Sequence, residues 1–268
     1  MVIPAGIDIV EFLQTDAVAD GYTPRIRTSV ASAVHLLLPK GRTLVTTYMG
    51  DDVIETNTSD GAIIDSGGGE DTIVGNRLGT VDITVRSGSG ADSVVGSAGS
   101  DDLDLGPGDD YARGFGGSDT ISGGAGNDDI TLESGAGAGG VVDGGTGDDT
   151  LIGGAGDDTL MGGGGGDTVL PRKGSNVVDI GLGAAVVLID TSLGRCDITG
   201  WSGGDDLLRV TSALFDNAAD AAAIYGAAQQ IGSDVVVTLN GIGGGSYVLT
   251  VRGVSKGVEF TQAQCVAI

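Results

Sequence analysis

A nine-residue pattern recurs along this chain and constrains its fold more than any other feature. The rows are SGGGEDTIV (66–74), SGSGADSVV (87–95), GSAGSDDLD (96–104), LGPGDDYAR (105–113), GFGGSDTIS (114–122), GGAGNDDIT (123–131), GGTGDDTLI (144–152), GGAGDDTLM (153–161) and GGGGGDTVL (162–170). All nine have glycine at the fourth place and aspartate at the sixth. The eighth place holds Ile73, Val94, Leu103, Ala112, Ile121, Ile130, Leu151, Leu160 and Val169. A tenth row, TYMGDDVIE (47–55), keeps Gly50, Asp52 and Ile54. Collagen would need glycine at every third residue, and a flexible linker would not hold an apolar residue at one phase.

Each place has a physical role. Glycines at the first, second and fourth places allow tight turns with positive φ and leave backbone carbonyls uncovered. The last three residues form a short strand whose alternate side chains face opposite sides. The eighth residue therefore points inward, and Thr72, Thr120, Thr150, Thr159 and Thr168 at the seventh point to solvent. Two rows make one 18-residue coil, with a strand on each face and a turn at each edge. Stacked coils put Asp92, Asp110 and Asp128 in one column and Asp101 and Asp119 in the other. Carboxylates roughly 4.8 Å apart cannot all stay ionised without a counter-charge. A hard divalent cation resolves the conflict, and Ca²⁺ tolerates irregular sets of six to eight oxygens better than Mg²⁺. Zinc does not fit, because the repeat holds no His or Cys.

Composition supports a cation partner. Of 37 acidic residues, 24 lie between 50 and 170, opposed there only by Arg77, Arg86 and Arg113, so that segment carries −21 of the formal −24. Such self-repulsion works against a compact state and excludes nucleic acid as a partner. A disordered acidic segment is the alternative on composition alone. The mean hydropathy of +0.19 argues against it. The opening MVIPAGIDIVEF has no basic stretch followed by an apolar run, so it does not read as a secretory signal. The longest apolar run, Ala33 to Leu38, is too short for a bilayer. Two cysteines, Cys196 and Cys265, do not make a disulfide framework.

The rows match the pattern G-G-x-G-x-D-x-(apolar)-x and so resemble the RTX family over about residues 47–180. The resemblance implies an all-β fold, a right-handed parallel β-roll with N-terminal and C-terminal caps, holding several Ca²⁺ ions between successive turns. It carries metal ligands over at Asp52, Asp71, Asp92, Asp101, Asp110, Asp119, Asp128, Asp149, Asp158 and Asp167. The turn glycines, Gly123, Gly144, Gly153 and Gly162 among them, contribute carbonyls. Two 12-residue stretches, GNRLGTVDITVR (75–86) and LESGAGAGGVVD (132–143), depart from the pattern. Each counts as one enlarged turn with Val85 or Val142 still facing inward and no aspartate at the ligand place. One edge then keeps Asp71, Asp92, Asp110, Asp128, Asp149 and Asp167, with about five or more ions expected. On the other edge only Asp101 and Asp119 make a complete pair.

The expected division is an N-terminal cap (1–46), the roll (47–195) and a β-rich C-terminal cap (196–268). IRTSVASAVHLLL (26–38) fits a strand or a buried helix. Val178 and Val187 sit nine apart and suggest one or two further coils without calcium. Asp220 to Gln230 has helical composition, and VVVTL (235–239) and YVLTV (247–251) read as paired strands. The final EFTQAQCVAI resembles the uncleaved signal by which RTX proteins leave Gram-negative bacteria through the type I secretion apparatus, the alternative being an ordinary cap. An enzyme is not expected. His35 is the sole histidine, so an HExxH zinc site is excluded, and GWSGG (200–204) around Ser202 lacks the strand–turn–helix context of a nucleophile elbow. The reading is a secreted, calcium-binding protein of structural, adhesive or surface role, with no membrane span. The alternative is the calcium-folding and export module of a larger secreted enzyme or toxin. Nothing in the sequence names a receptor, glycan or membrane target.

Overall fold

The computed structural model describes residues 25–27, 35–38, 42–56, 61–134, 137–190, 194–217, 219–242, 244–257 and 260–268. They fall into two compact units, Met1–Leu132 and Glu133–Ile268. In the first unit the strands are β1 (Arg25–Arg27), β2 (His35–Leu38), β3 (Thr43–Thr46), β4 (Val53–Thr56), β5 (Ala62–Asp65), β6 (Thr72–Val74), β7 (Ile83–Arg86), β8 (Ser93–Val95), β9 (Asp102–Pro107), β10 (Tyr111–Arg113), β11 (Thr120–Ala125) and β12 (Asp129–Thr131). Each strand pairs in parallel with the strand two places on. The odd-numbered strands build one sheet and the even-numbered strands the other, so every coil gives one strand to each face. This is a parallel β-solenoid.

The register follows the nonapeptide. Ile54, Ile73, Val94, Ala112 and Ile130 stand opposite one another along the even sheet. Val45, Ile64, Val85, Leu103 and Ile121 do the same along the odd sheet. None of the ten is more than 1% exposed. Alternation along a strand brings the eighth residue inward, and stacking then forms a continuous apolar ladder from one side chain per strand. Val85 faces inward despite the enlarged turn before it. The seventh-place threonines are less open than expected: Thr120 is exposed, but Thr72, Thr150, Thr159 and Thr168 are half-buried, because the residue of the adjoining coil stacks on each of them.

In the second unit the order is β13 (Val141–Thr146), β14 (Thr150–Ile152), β15 (Thr159–Gly164), β16 (Thr168–Leu170), β17 (Ser175–Asp179), β18 (Val186–Ile189), β19 (Gly194–Thr199), β20 (Leu207–Val210), α1 (Ala221–Ala227), β21 (Ala228–Ile231), β22 (Asp234–Asn240), β23 (Ser246–Val251) and β24 (Cys265–Ala267). Within this unit the strands again stack in parallel as a solenoid through β20, with Val142, Leu160, Val178 and Ile198 inward on one face and Leu151, Val169, Val187 and Leu208 inward on the other. Val178 and Val187 thus belong to a further coil, and β19 and β20 make another beyond it. The chain then turns back on itself. β23 pairs in parallel with β19, β22 and β21 follow antiparallel, and β24 closes the other face against β20.

Two local expectations need correction. Strands were expected to span three residues, but β9, β11, β13 and β15 span six. On that face the ladder runs on into the first three places of the next row, where Gly106 pairs with Gly124 and Gly145 with Gly163. Helical composition over 220–230 overruns the helix. Asp220 caps its start by accepting the Ala223 N–H at 2.8 Å, and Gln229 and Gln230 then leave it for β21, where pairing with β22 outcompetes local propensity. Of the two alternatives for 26–38, the described residues 26–27 and 35–38 are strands, since both pair with the next coil, while 28–34 and residues 1–24 of the expected cap (1–46) lie outside the described residues. Cys196 and Cys265 are buried free thiols on different sheets. Among the described residues no helix is long and apolar enough to cross a membrane.

Candidate metal centre

Every sixth-place aspartate enters the solenoid wall. Asp52, Asp71, Asp92, Asp101, Asp110, Asp119, Asp128, Asp149, Asp158 and Asp167 are each no more than 3% exposed. In eight of them one carboxylate oxygen is held by the neighbouring coil. In the first unit the Asp52 N–H donates to Asp71 Oδ1 at 2.8 Å, Asp71 to Asp92 at 2.8 Å, Asp92 to Asp110 at 2.7 Å and Asp110 to Asp128 at 2.8 Å. On the opposite edge Asp101 donates to Asp119 at 2.9 Å. In the second unit Asp149 donates to Asp167 at 3.0 Å. The sixth place of the enlarged turns is taken by Ile83 and Gly140, whose N–H groups donate to Asp101 Oδ1 at 2.8 Å and Asp158 Oδ1 at 2.9 Å. Neither enlarged turn has an acid at that place.

The second carboxylate oxygen is where the chemistry lies. Oδ2 of Asp71, Asp92, Asp110, Asp119 and Asp167 is buried and has no hydrogen-bond partner. A buried charged oxygen left in this state costs several kcal/mol. Burial, with neighbouring carboxylates adding to it, raises Asp71 to about 6 and Asp110 and Asp119 to about 7. It also pushes Asp92, Asp128 and Asp167 upward. Where the first place of the turn is Gly114, Gly144, Gly153 or Gly162, that glycine stands against the second oxygen. A Cβ on Gly114, Gly144 or Gly162 would land on Oδ2 of Asp119, Asp149 or Asp167. Gly153 is set likewise against Asp158 Oδ2, 2.9 Å from where its Cβ would stand, and close to the Pro171 carbonyl. Gly123 is buried in β11.

The turns whose Oδ2 has no partner fit a hard cation, since they offer carboxylate and carbonyl oxygens, and at Gly114 and Gly162 no side chain fills the space. No three His, Cys, Asp or Glu side chains converge among the described residues, so carbonyls have to complete any ligand set. A bound Ca²⁺ would supply the positive charge that the stacked carboxylates lack and would join successive coils through shared ligands.

Residues outside the expected set join the same columns. Asn176 stands at the sixth place of PRKGSNVVD, and its Oδ1 accepts the Asp158 N–H at 2.9 Å. Asp206 stands at the sixth place of WSGGDDLLR, and its Oδ1 accepts the Ala185 N–H at 3.1 Å. Gly174 or Gly204 at the fourth place, with Val178 or Leu208 at the eighth, was the available signal. Fifth-place acids form an outer layer, where Asp51, Asp109, Asp148 and Asp157 each accept the fifth-place N–H of the next coil at 2.7–2.9 Å. Ser202 is engaged in its turn, donating its hydroxyl to Asp206 Oδ2 at 2.9 Å, and β20 rather than a helix follows it.

The family model for the RTX calcium-binding nonapeptide repeat (4 copies) matches residues 84–112, 104–138 and 134–169. Those spans hold eight of the ten sixth-place aspartates, from Asp92 to Asp167. No curated protein matches the chain. Among solved structures, the extracellular lipase LipA from Serratia marcescens is 18% identical, over 82% of this chain and 45% of that one, with a TM-score of 0.29. The chain therefore spans less than half the length of that lipase.

Proposed function

The chain being an RTX-family protein, we propose that it is a secreted calcium-binding protein whose solenoid folds when extracellular Ca²⁺ binds. The observation that carries this reading is the series of buried Oδ2 atoms without partners at Asp71, Asp92, Asp110, Asp119 and Asp167. At low calcium these carboxylates repel one another and resist burial. At roughly 10⁻⁴–10⁻³ M calcium, the range of extracellular modules, binding to the folded state alone tips the balance. The chain would then leave the cell unfolded, through a type I apparatus, and fold outside, with a structural, adhesive or surface role and no catalytic step of its own. Asp71, Asp92 and Asp110 on one edge and Asp119 on the other hold ions in the first unit, and Asp167 in the second.

Far-ultraviolet circular dichroism during calcium titration of chelator-treated protein tests this, with magnesium as control. Cooperative gain of β signal with calcium alone is the expected result, and a fully folded spectrum in chelator would overturn it. The mass of the intact gene product tells a self-standing protein from the export module of a longer secreted enzyme.

A further inference from the structure

Eight of the sixth-place aspartates divide according to the backbone of the second residue in their turn. Gly67, Gly88, Gly106, Phe115 and Gly163 have φ of 96°, 104°, 101°, 77° and 98°. Their turns contain the five aspartates whose Oδ2 has no partner. Ser97, Gly154 and Ser202 are not in the left-handed region, and their N–H groups donate to Oδ2 of Asp101 at 2.5 Å, Asp158 at 2.7 Å and Asp206 at 2.8 Å. The hydroxyls of Ser97 and Ser202 add bonds to Asp101 and Asp206. An N–H directed at the carboxylate puts the positive end of a dipole where a cation would otherwise sit.

The turn 171–176 combines the two cases. Arg172 at its second place has a φ of 57°, as in the first class. Three carbonyls then face the sixth-place side chain, but that side chain is Asn176. Its Nδ2 donates to the Pro171 carbonyl at 2.8 Å, Lys173 at 3.3 Å and Arg172 at 3.4 Å, while Oδ1 accepts the Asp158 N–H. Turning the amide over would oppose donor to donor and acceptor to acceptor, so its orientation follows from the network. Tyr247 contributes its hydroxyl to the Arg172 carbonyl at 3.2 Å. The residues of this turn do not fit calcium, because the donors already lie inside the carbonyl cradle.

We propose that the Asn176 carboxamide substitutes for calcium in the turn 171–176, and that Asp101, Asp158 and Asp206 complete their turns by backbone donors without an ion. The proposal rests on the calcium reading of the left-handed turns. It makes 153–158, 171–176 and 201–206 a set of turns that close without metal in the second unit. Asn176→Asp removes both Nδ2 donors, restores a carboxylate of the same shape and leaves three carbonyls facing it, which is a hard-oxygen ligand set.

The test is calcium stoichiometry of the full chain and its Asn176→Asp variant, by equilibrium dialysis at millimolar free calcium with metal quantification. The variant is expected to bind one more ion per chain than wild type. Calcium uptake by wild type with an equal count in the variant overturns this inference alone. No uptake by wild type overturns the calcium reading and this inference with it. Should the variant fail to fold, side-chain amide exchange in the calcium-loaded wild-type chain decides. Slow exchange of both Asn176 Nδ2 protons supports the substitution, and exchange at the rate of an exposed carboxamide overturns it.

Discussion

At the scale of single residues, the sixth-place carboxylates are held in a state that water would not choose. Burial lifts Asp71 from the ordinary 3.8 to about 6, and Asp110 and Asp119 to about 7. Between the unfolded and folded values the folded chain holds more protons, so its stability falls as pH rises through that window. In chelator, the compact state is therefore expected to be favoured near pH 5 and lost toward pH 8, which a pH series of circular dichroism spectra checks. Saturating calcium should remove this dependence, because the ion favours the ionised form. The second-place glycines matter for a steric reason. Gly163 has a φ of 98°, and a Cβ there would collide with the Gly145 carbonyl of the adjacent coil. Gly163→Ala is expected to cost about 1–3 kcal/mol in calcium-saturated denaturant melts.

At the scale of elements, each strand contributes little and depends on its neighbours. Leu160 in β15 is fully buried between Val142 of β13 and Val178 of β17. Leu160→Ala is expected to cost about 2–5 kcal/mol by denaturant unfolding in calcium. The terminal cap is held differently, by aromatic packing. Phe260 is fully buried, with ring centroids 5.6 Å from Trp201 and 6.3 Å from Tyr225 of α1. Phe260→Ala is expected to cost about 3–5 kcal/mol and, because no carboxylate is involved, to cost the same relative to wild type at every calcium concentration at which the chain folds. The segment resembling a secretion signal includes β24, which pairs with β20, and its Phe260 anchors α1. In the folded chain that segment is part of the wall.

For the whole molecule, the charge of −24 and the 52 glycines both favour the unfolded state. A thin core of one apolar side chain per strand does not offset backbone ordering by itself, and bound cations shift the balance by mass action. Removing calcium at neutral pH is expected to raise the radius of gyration, measured by small-angle X-ray scattering, toward about 57 Å, the unfolded value for a chain of this length. An unchanged radius would mean that the apolar ladders and the cap suffice alone.

The nonapeptide by itself determined the strand faces, the inward ladder from Ile54 to Ile130, the stacking of aspartates in columns along two edges and the lack of an acid at Ile83 and Gly140. These follow from alternation and turn chemistry within nine residues, so they are written locally. Which buried carboxylate finds a partner is not written in the pattern the rows share. Asp101 and Asp119 occupy the same place of rows that agree at four of nine residues, yet Ser97 donates to one while the left-handed Phe115 leaves the other unpaired. The difference lies in the backbone of the second residue, a place the repeat leaves variable. The end of α1 at Ala227 and the closure of the sheet by β24 were decided by tertiary pairing, because each depends on a hydrogen-bond partner that the local sequence does not contain; the role of Asn176 is so decided in part, since its Oδ1 takes the Asp158 N–H of another coil while its Nδ2 reaches carbonyls of its own turn.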